Sequence, residues 1–116
     1  MFLLLAIPAI HFVGDFLLQT EWMVNGKSTA WQPLLAHAAV YTLTLLFFSS
    51  LVMPFPLAIA WSFLNGACHL TVDFFTSKLM KSARENGNTS LFFKILGLDQ
   101  LLHAWCLLGI LGWLIL

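Results

Sequence analysis

The residues able to do chemistry in this sequence are four histidines and three aspartates, and every histidine lies in an apolar stretch. His11 precedes Asp15, His69 precedes Asp73 and Asp99 precedes His103, always by four positions. Such pairs share one face of an α-helix, so imidazole and carboxylate point the same way. Nitrogen and carboxylate-oxygen donors together suit a divalent metal, with zinc the first choice and manganese or iron the alternatives. Placing an ionisable group in hydrocarbon costs at least about 2.5–3.5 kcal/mol, so a short chain carrying several implies a shared purpose. The expected ligand set is His11, Asp15, His69, Asp73, Asp99 and His103, with His37 as a further candidate. One ion or two could be held, and whichever of Asp15, Asp73 and Asp99 is not a ligand could act as general base. Two rival accounts use the same residues: a proton or ion pathway, and pairs that only fasten helices together.

The surrounding chain is built for an apolar solvent. Of 116 residues, 60% are hydrophobic and 9% charged, whereas a soluble domain carries about 25% charged residues. Mean hydropathy is +0.91. A formal net charge of zero argues against nucleic acid as a partner. Cys68 and Cys106 both fall within apolar runs and suggest no disulfide framework. The opening Met1–Ile10 lacks basic residues and is followed by His-Phe-Val-Gly-Asp, so it reads as a retained helix and not as a signal peptide.

Four apolar stretches could carry these residues: Phe2–Thr20, Pro33–Val52, Leu57–Lys78 and Gly97–Leu116. Crossing hydrocarbon takes roughly 20 apolar residues. The pattern predicts an all-α fold, a single transmembrane domain over residues 1–116 arranged as an up-down four-helix bundle. Residues 90–96, with the run Leu-Phe-Phe-Lys-Ile-Leu, are too short to span and are expected to lie at the interface. Asn25-Gly26-Lys27-Ser28, Pro54 with Pro56, and Asn86-Gly87-Asn88 mark the three connections. Lys27, Lys78, Lys81, Arg84 and Lys94 all fall in the first or third connection. The positive-inside rule makes that side cytoplasmic and puts both termini outside. The acceptor pattern Asn88-Thr89-Ser90 would there be inert to glycosylation.

At 1.5 Å rise per residue, all seven His and Asp positions fall roughly 4–16 Å from the cytoplasmic ends of their helices. Helices running in alternating directions thus bring them to one level, which predicts a single site open to the cytoplasm. The helical faces extend it: His11, Asp15 and Gln19; His37, Tyr41 and Thr44; Asn65, His69, Asp73 and Ser77; Asp99, His103 and Cys106. Gln19, Gln100, Tyr41 and Asn65 are expected to orient ligands or substrate, and Lys78 and Lys94 to attract an anionic lipid headgroup. Cys106 is expected to pack as a small apolar residue, and Trp22 and Trp31 to anchor at the interface. The form His-x-x-x-Asp-Phe occurs at His11 and again at His69, each followed by a helix with a further histidine. That faint repeat suggests two helical hairpins related by a pseudo-two-fold axis.

On these stretches the chain resembles a family of small bacterial integral-membrane proteins, domain-of-unknown-function family 3307. The residues carrying the resemblance are His11-Phe-Val-Gly-Asp-Phe-Leu-Leu-Gln-Thr, His37 with Tyr41, His69-Leu-Thr-Val-Asp-Phe-Phe-Thr-Ser-Lys and Leu98-Asp-Gln-Leu-Leu-His103. The family implies a place in the bacterial inner membrane but no activity. More distantly, the His-x-x-x-Asp helices are similar to those of inner-membrane proteins labelled metal-dependent hydrolases. The expected function is therefore a metal-dependent hydrolase acting on a lipid or another membrane-anchored substrate. A bound ion would bring the pKa of water toward about 7. The alternatives are a proton or divalent-metal transporter or channel, working as a homo-oligomer, and a structural or regulatory membrane subunit.

Overall fold

A computed structural model describes residues 2–116, and among them the secondary structure is entirely helical. Helix α1 covers Phe2–Phe12 and runs directly into a π-helical turn, Val13–Leu17. Then come a short α2, Glu21–Gly26, and three long helices: α3, Trp31–Ser49; α4, Phe55–Glu85; and α5, Thr89–Ile115. The three long helices are each long and apolar enough to cross a membrane. The first apolar run forms continuous helix only over Phe2–Leu17, short of the roughly 20 residues a full span takes.

The local signals explain most boundaries. Thr20 caps α2 by accepting a hydrogen bond from the Met23 amide. Pro54 and Pro56 sit at the start of α4, where a missing N–H is harmless. Asn88 caps α5 through the Leu91 amide, so this asparagine has a structural role. Gly87 ends the preceding turn at φ 67°, in the left-handed region that glycine enters freely. The structure corrects two expected boundaries. Helix α4 continues past Lys78 to Glu85, because Leu79–Glu85 contains no breaker. Residues 90–96 are no separate interfacial helix but the first turns of α5. Gly97 alone, costing about 1 kcal/mol against alanine, cannot stop a helix that has good formers on both sides.

The π turn widens the helix at the one place where a chemical group must point sideways into the bundle. It is closed by a hydrogen bond from the Leu18 amide to the Val13 carbonyl, five residues back. Gly14 makes it fit. A Cβ there would lie 3.1 Å from Tyr41 Cδ2 and 3.4 Å from Thr44, so only glycine lets this turn press on α3 unhindered. Gly66 does the same where α4 crosses α3, since a Cβ would run into Thr42.

The interior is divided along its length. At one end Ile7, Ile10, Tyr41, Leu45, Trp61, Leu107 and Leu111 form an apolar cluster. There the Trp61 indole N–H donates to the Leu107 carbonyl at 2.9 Å, tying α4 to α5. Toward the other end the buried side chains are polar, among them Asp15, His37, His69, Asp73, Thr76, Ser77, Asp99 and His103. The surface is the reverse: Phe2, Leu5, Phe47, Phe63, Phe75, Trp105 and Trp113 are among many large apolar side chains that are exposed. Water-soluble proteins show the opposite distribution of charge and grease. The first connection meets α4 at the polar end, where Lys78 donates to the Ser28 carbonyl at 3.2 Å.

Candidate metal centre

The π turn, α3 and α4 bring four donors around one point. Asp15, His37, His69 and Asp73 each offer a ligand atom, all within 4.8 Å of one another and all buried. His37 Nε2 lies 2.9 Å from His69 Nε2, 3.0 Å from Asp15 Oδ1 and 3.3 Å from Asp73 Oδ2. His69 Nε2 lies 3.7 Å from Asp15 Oδ1 and 3.4 Å from Asp73 Oδ2. A tetrahedral ion with bonds of about 2.0–2.1 Å separates its donors by roughly 3.3–3.4 Å. The five separations bracket that value, so the residues could hold such an ion.

Two further observations fit a cation. The two Nε2 atoms at 2.9 Å cannot both carry a proton, because one must turn a lone pair toward the other. Charge points the same way. Asp15, Asp73 and Asp99 are buried, and Lys27 donates to Asp73 Oδ2 at 3.0 Å. With neutral imidazoles, three carboxylates against one ammonium leave two negative charges, which either a divalent ion or two imidazolium protons would offset. Uncompensated buried charge is expensive, and a divalent ion removes the excess.

Around this set the other polar side chains form a connected network. Gln100 Nε2 donates to Asp15 Oδ2 at 3.2 Å and to Asp99 Oδ2 at 3.0 Å. Facing two carboxylates, that atom must be the amide nitrogen, so Gln100 Oε1 accepts from His11 Nε2 at 3.0 Å. His11 Nδ1 then accepts from the Tyr41 hydroxyl at 2.8 Å. Both His11 nitrogens are thereby engaged, with Nε2 also 3.5 Å from Asp15 Oδ2. The His11 ring orients Tyr41 and Gln100, and with Asp15 and His103 it forms another donor group that could hold an ion, while His37 from α3 joins Asp15, His69 and Asp73. Tyr41 in turn stacks flat on His69, centroids 3.9 Å apart, fixing that ring. His103 stands between two carboxylates, Nδ1 3.3 Å from Asp99 Oδ2 and Nε2 3.7 Å from Asp73 Oδ1. It could complete a second donor group with Asp73 and Asp99.

The remaining expected residues are placed differently. Gln19 donates to the Asp15 backbone carbonyl at 3.1 Å, supporting the π turn. Asn65 donates to the Trp61 carbonyl one turn back and touches no site ring through a hydrogen bond. Lys78 lies over the Phe74 ring at 4.3 Å and Lys94 is exposed; neither lines the cleft beside the centre. Trp31 stacks on Phe74 at 5.2 Å. Cys68 and Cys106 are free thiols.

Two participants escape a reading by spacing alone. Lys27 follows the end of α2 and reaches Asp73, 46 positions away, with only 12% of its side chain exposed. Its place in a polar loop marks it as a topology residue, and nothing local predicts α2 swinging it inward. Thr76 donates to Asp99 Oδ1 from α4, a contact that depends on how α4 and α5 cross.

Neither curated proteins nor solved structures contain a match to the chain. One family model matches, over residues 1–115, described as a protein of unknown function (DUF3307). The chain belongs to that family.

Proposed function

We propose that the chain is a multi-pass protein of the bacterial inner membrane that binds one divalent metal, zinc first, and hydrolyses a lipid or membrane-anchored substrate. The observation that carries this reading is the buried set Asp15, His37, His69 and Asp73, whose donor atoms lie within 4.8 Å of one another, the imidazole nitrogens 2.9–3.7 Å from each other and from the carboxylate oxygens. Membrane placement is supported by the inverted distribution of polar and apolar side chains and by the three long apolar helices. The basic residues Lys27, Lys78, Lys81, Arg84 and Lys94, in the first connection and at the adjoining ends of α4 and α5, support a cytoplasmic mouth, with both termini on the far side.

A divalent ion held there supplies Lewis acidity, polarising a scissile oxygen and acidifying water. The chain's own groups divide the other tasks. Asp99 lies outside the four-donor set and borders the open cleft beside it, so its Oδ2 is placed to take a proton from water. His103 Nδ1, 3.3 Å from that oxygen, can share the proton. Lys27 brings positive charge beside Asp73, where it can offset negative charge developing on a substrate. Gln100 and Tyr41 hold the ring and carboxylate orientations. The apolar cluster of Ile7, Ile10, Leu45, Trp61, Leu107 and Leu111 closes the other end of the interior. A closed end favours catalysis over passage of ions.

Elemental analysis of the purified protein tests the metal. About one metal per chain is expected, lost in His37→Ala, His69→Ala and Asp73→Asn but retained in His11→Ala. A folded protein without metal, or one whose metal is indifferent to His37 and His69, defeats the reading. Release of fatty acid, headgroup or phosphate from mixed-lipid vesicles tests hydrolysis. Metal-dependent ion flux into liposomes without lipid turnover would instead make the protein a transporter.

A further inference from the structure

A cleft of about 290 Å³ opens between the π turn, α2, the C-terminal half of α4 and the start of α5. Its polar lining includes Asp15, Asp99 and Gln100 of the site just described. Lys27, Lys81, Arg84 and Glu85 also line it, together with Ser77, and Lys27 is already paired with Asp73. The Ser77 hydroxyl is buried, in a residue with 5% exposure, and has no hydrogen-bond partner among the described residues. Arg84 lies over the Phe92 ring, with Cζ 4.9 Å from its centroid, a cation–π contact that steadies the guanidinium beside the cleft. Lys81 faces Glu85 at 3.7 Å, but both are well exposed, at 42% and 66%. Such an exposed pair is weak, so the Lys81 ammonium is available to another anion. Phe16, Val24, Met80 and Leu96 give the same cleft an apolar wall.

We propose that this cleft is a phosphoryl-binding subsite, with Arg84, Lys81 and Ser77 as its donors. Guanidinium and ammonium groups bind phosphate oxygens by charge-assisted hydrogen bonds, and the hydroxyl adds a third donor. A tetrahedral phosphoryl group presents an oxygen to each of three donors, whereas a carboxylate has only two oxygens. The apolar wall suits the first carbons of an attached chain, so the phosphoryl group is one carried by a lipid headgroup or by a free phosphate ester. The binding itself stands on the cleft alone; its meaning as substrate recognition rests on the hydrolytic reading above.

Calorimetry on the full chain in neutral detergent tests the subsite, with inorganic phosphate, dioctanoyl phosphatidic acid and dioctanoylglycerol as probes, each with and without added zinc. Both phosphates are expected to bind in a salt-sensitive manner and the diacylglycerol to bind far more weakly. Replacing Lys81 and Arg84 together by glutamine should weaken the phosphates about 10- to 100-fold. Ser77→Ala should weaken them less, and Lys94→Gln should leave them unchanged. Binding of phosphatidic acid without inorganic phosphate, still lost in the double variant, would identify the lipid headgroup as the source. Equal affinity for diacylglycerol and phosphatidic acid, or wild-type affinity in the double variant, overturns the proposal. Circular dichroism on the same samples shows that the variants fold, and their metal content is measured alongside. The metal content separates the two ideas: metal without phosphate binding sinks only the subsite, and phosphate binding without metal sinks only the metal reading.

Discussion

The contact of Lys27 with Asp73 gives the sharpest test of whether a metal belongs among these donors. The ammonium is 3.0 Å from Asp73 Oδ2, with 12% and 1% of the two side chains exposed. At an effective dielectric of about 20, charges at that distance attract by roughly 5–6 kcal/mol before desolvation is subtracted. Breaking one side of a buried pair leaves a lone charge and costs about 3–5 kcal/mol. Lys27→Met keeps most of the apolar stem and removes the ammonium, so that loss is expected when metal is chelated. Zinc should change the comparison, because Asp73 Oδ2 also belongs to the four-donor set. At free zinc about 100-fold above Kd, the wild type gains about 2.7 kcal/mol. The variant should bind zinc more tightly, since the competing ammonium is gone, and gain more. Equilibrium unfolding in mild detergent, followed by circular dichroism in zinc and in chelator, measures both gaps. A stability gap of the same size in zinc and chelator would refute the idea that ammonium and metal share this carboxylate.

Four further outcomes are expected. Gln100→Leu removes the amide joining His11, Asp15 and Asp99; metal affinity should fall about 10- to 100-fold by titration, with the protein still folded. Gly14→Ala crowds Tyr41 and Thr44 and should lower stability by about 1–3 kcal/mol. Gly109→Ala, whose Cβ meets nothing within 4 Å, should be neutral or stabilise by about 0.5–1 kcal/mol; unfolding midpoints compare the two. Gly66→Ala should destabilise through contact with Thr42, and adding Thr42→Ala should restore part of the loss, a coupling that a double-mutant cycle reads directly.

The helical class, the positions of the long helices and the meeting of histidines with aspartates follow from local pattern. Apolar runs of helical length, proline and asparagine at their ends, and i,i+4 spacing are short-range signals that any sequence displays openly. The roles within the cluster were less legible. His37 has no aspartate four residues away and looked the weakest of the four, yet its Nε2 sits between Asp15, His69 and Asp73. His11 has the ideal spacing but spends both nitrogens on Tyr41 and Gln100. Spacing reports which face a side chain shares, not which neighbour on another helix is nearest.

Residue types and periodicity thus dictated that this chain would be helical and would gather acids and imidazoles inside it. The assembled bundle alone decided which atoms meet. The π turn that aims Asp15, the crossing admitted by Gly66, and the short α2 that carries Lys27 to Asp73 are all settled by contacts between distant segments. A donor set tolerates misplacement of only a few tenths of an ångström. Such tolerances arise from packing of whole helices against one another, for which the linear order of residues carries no local mark.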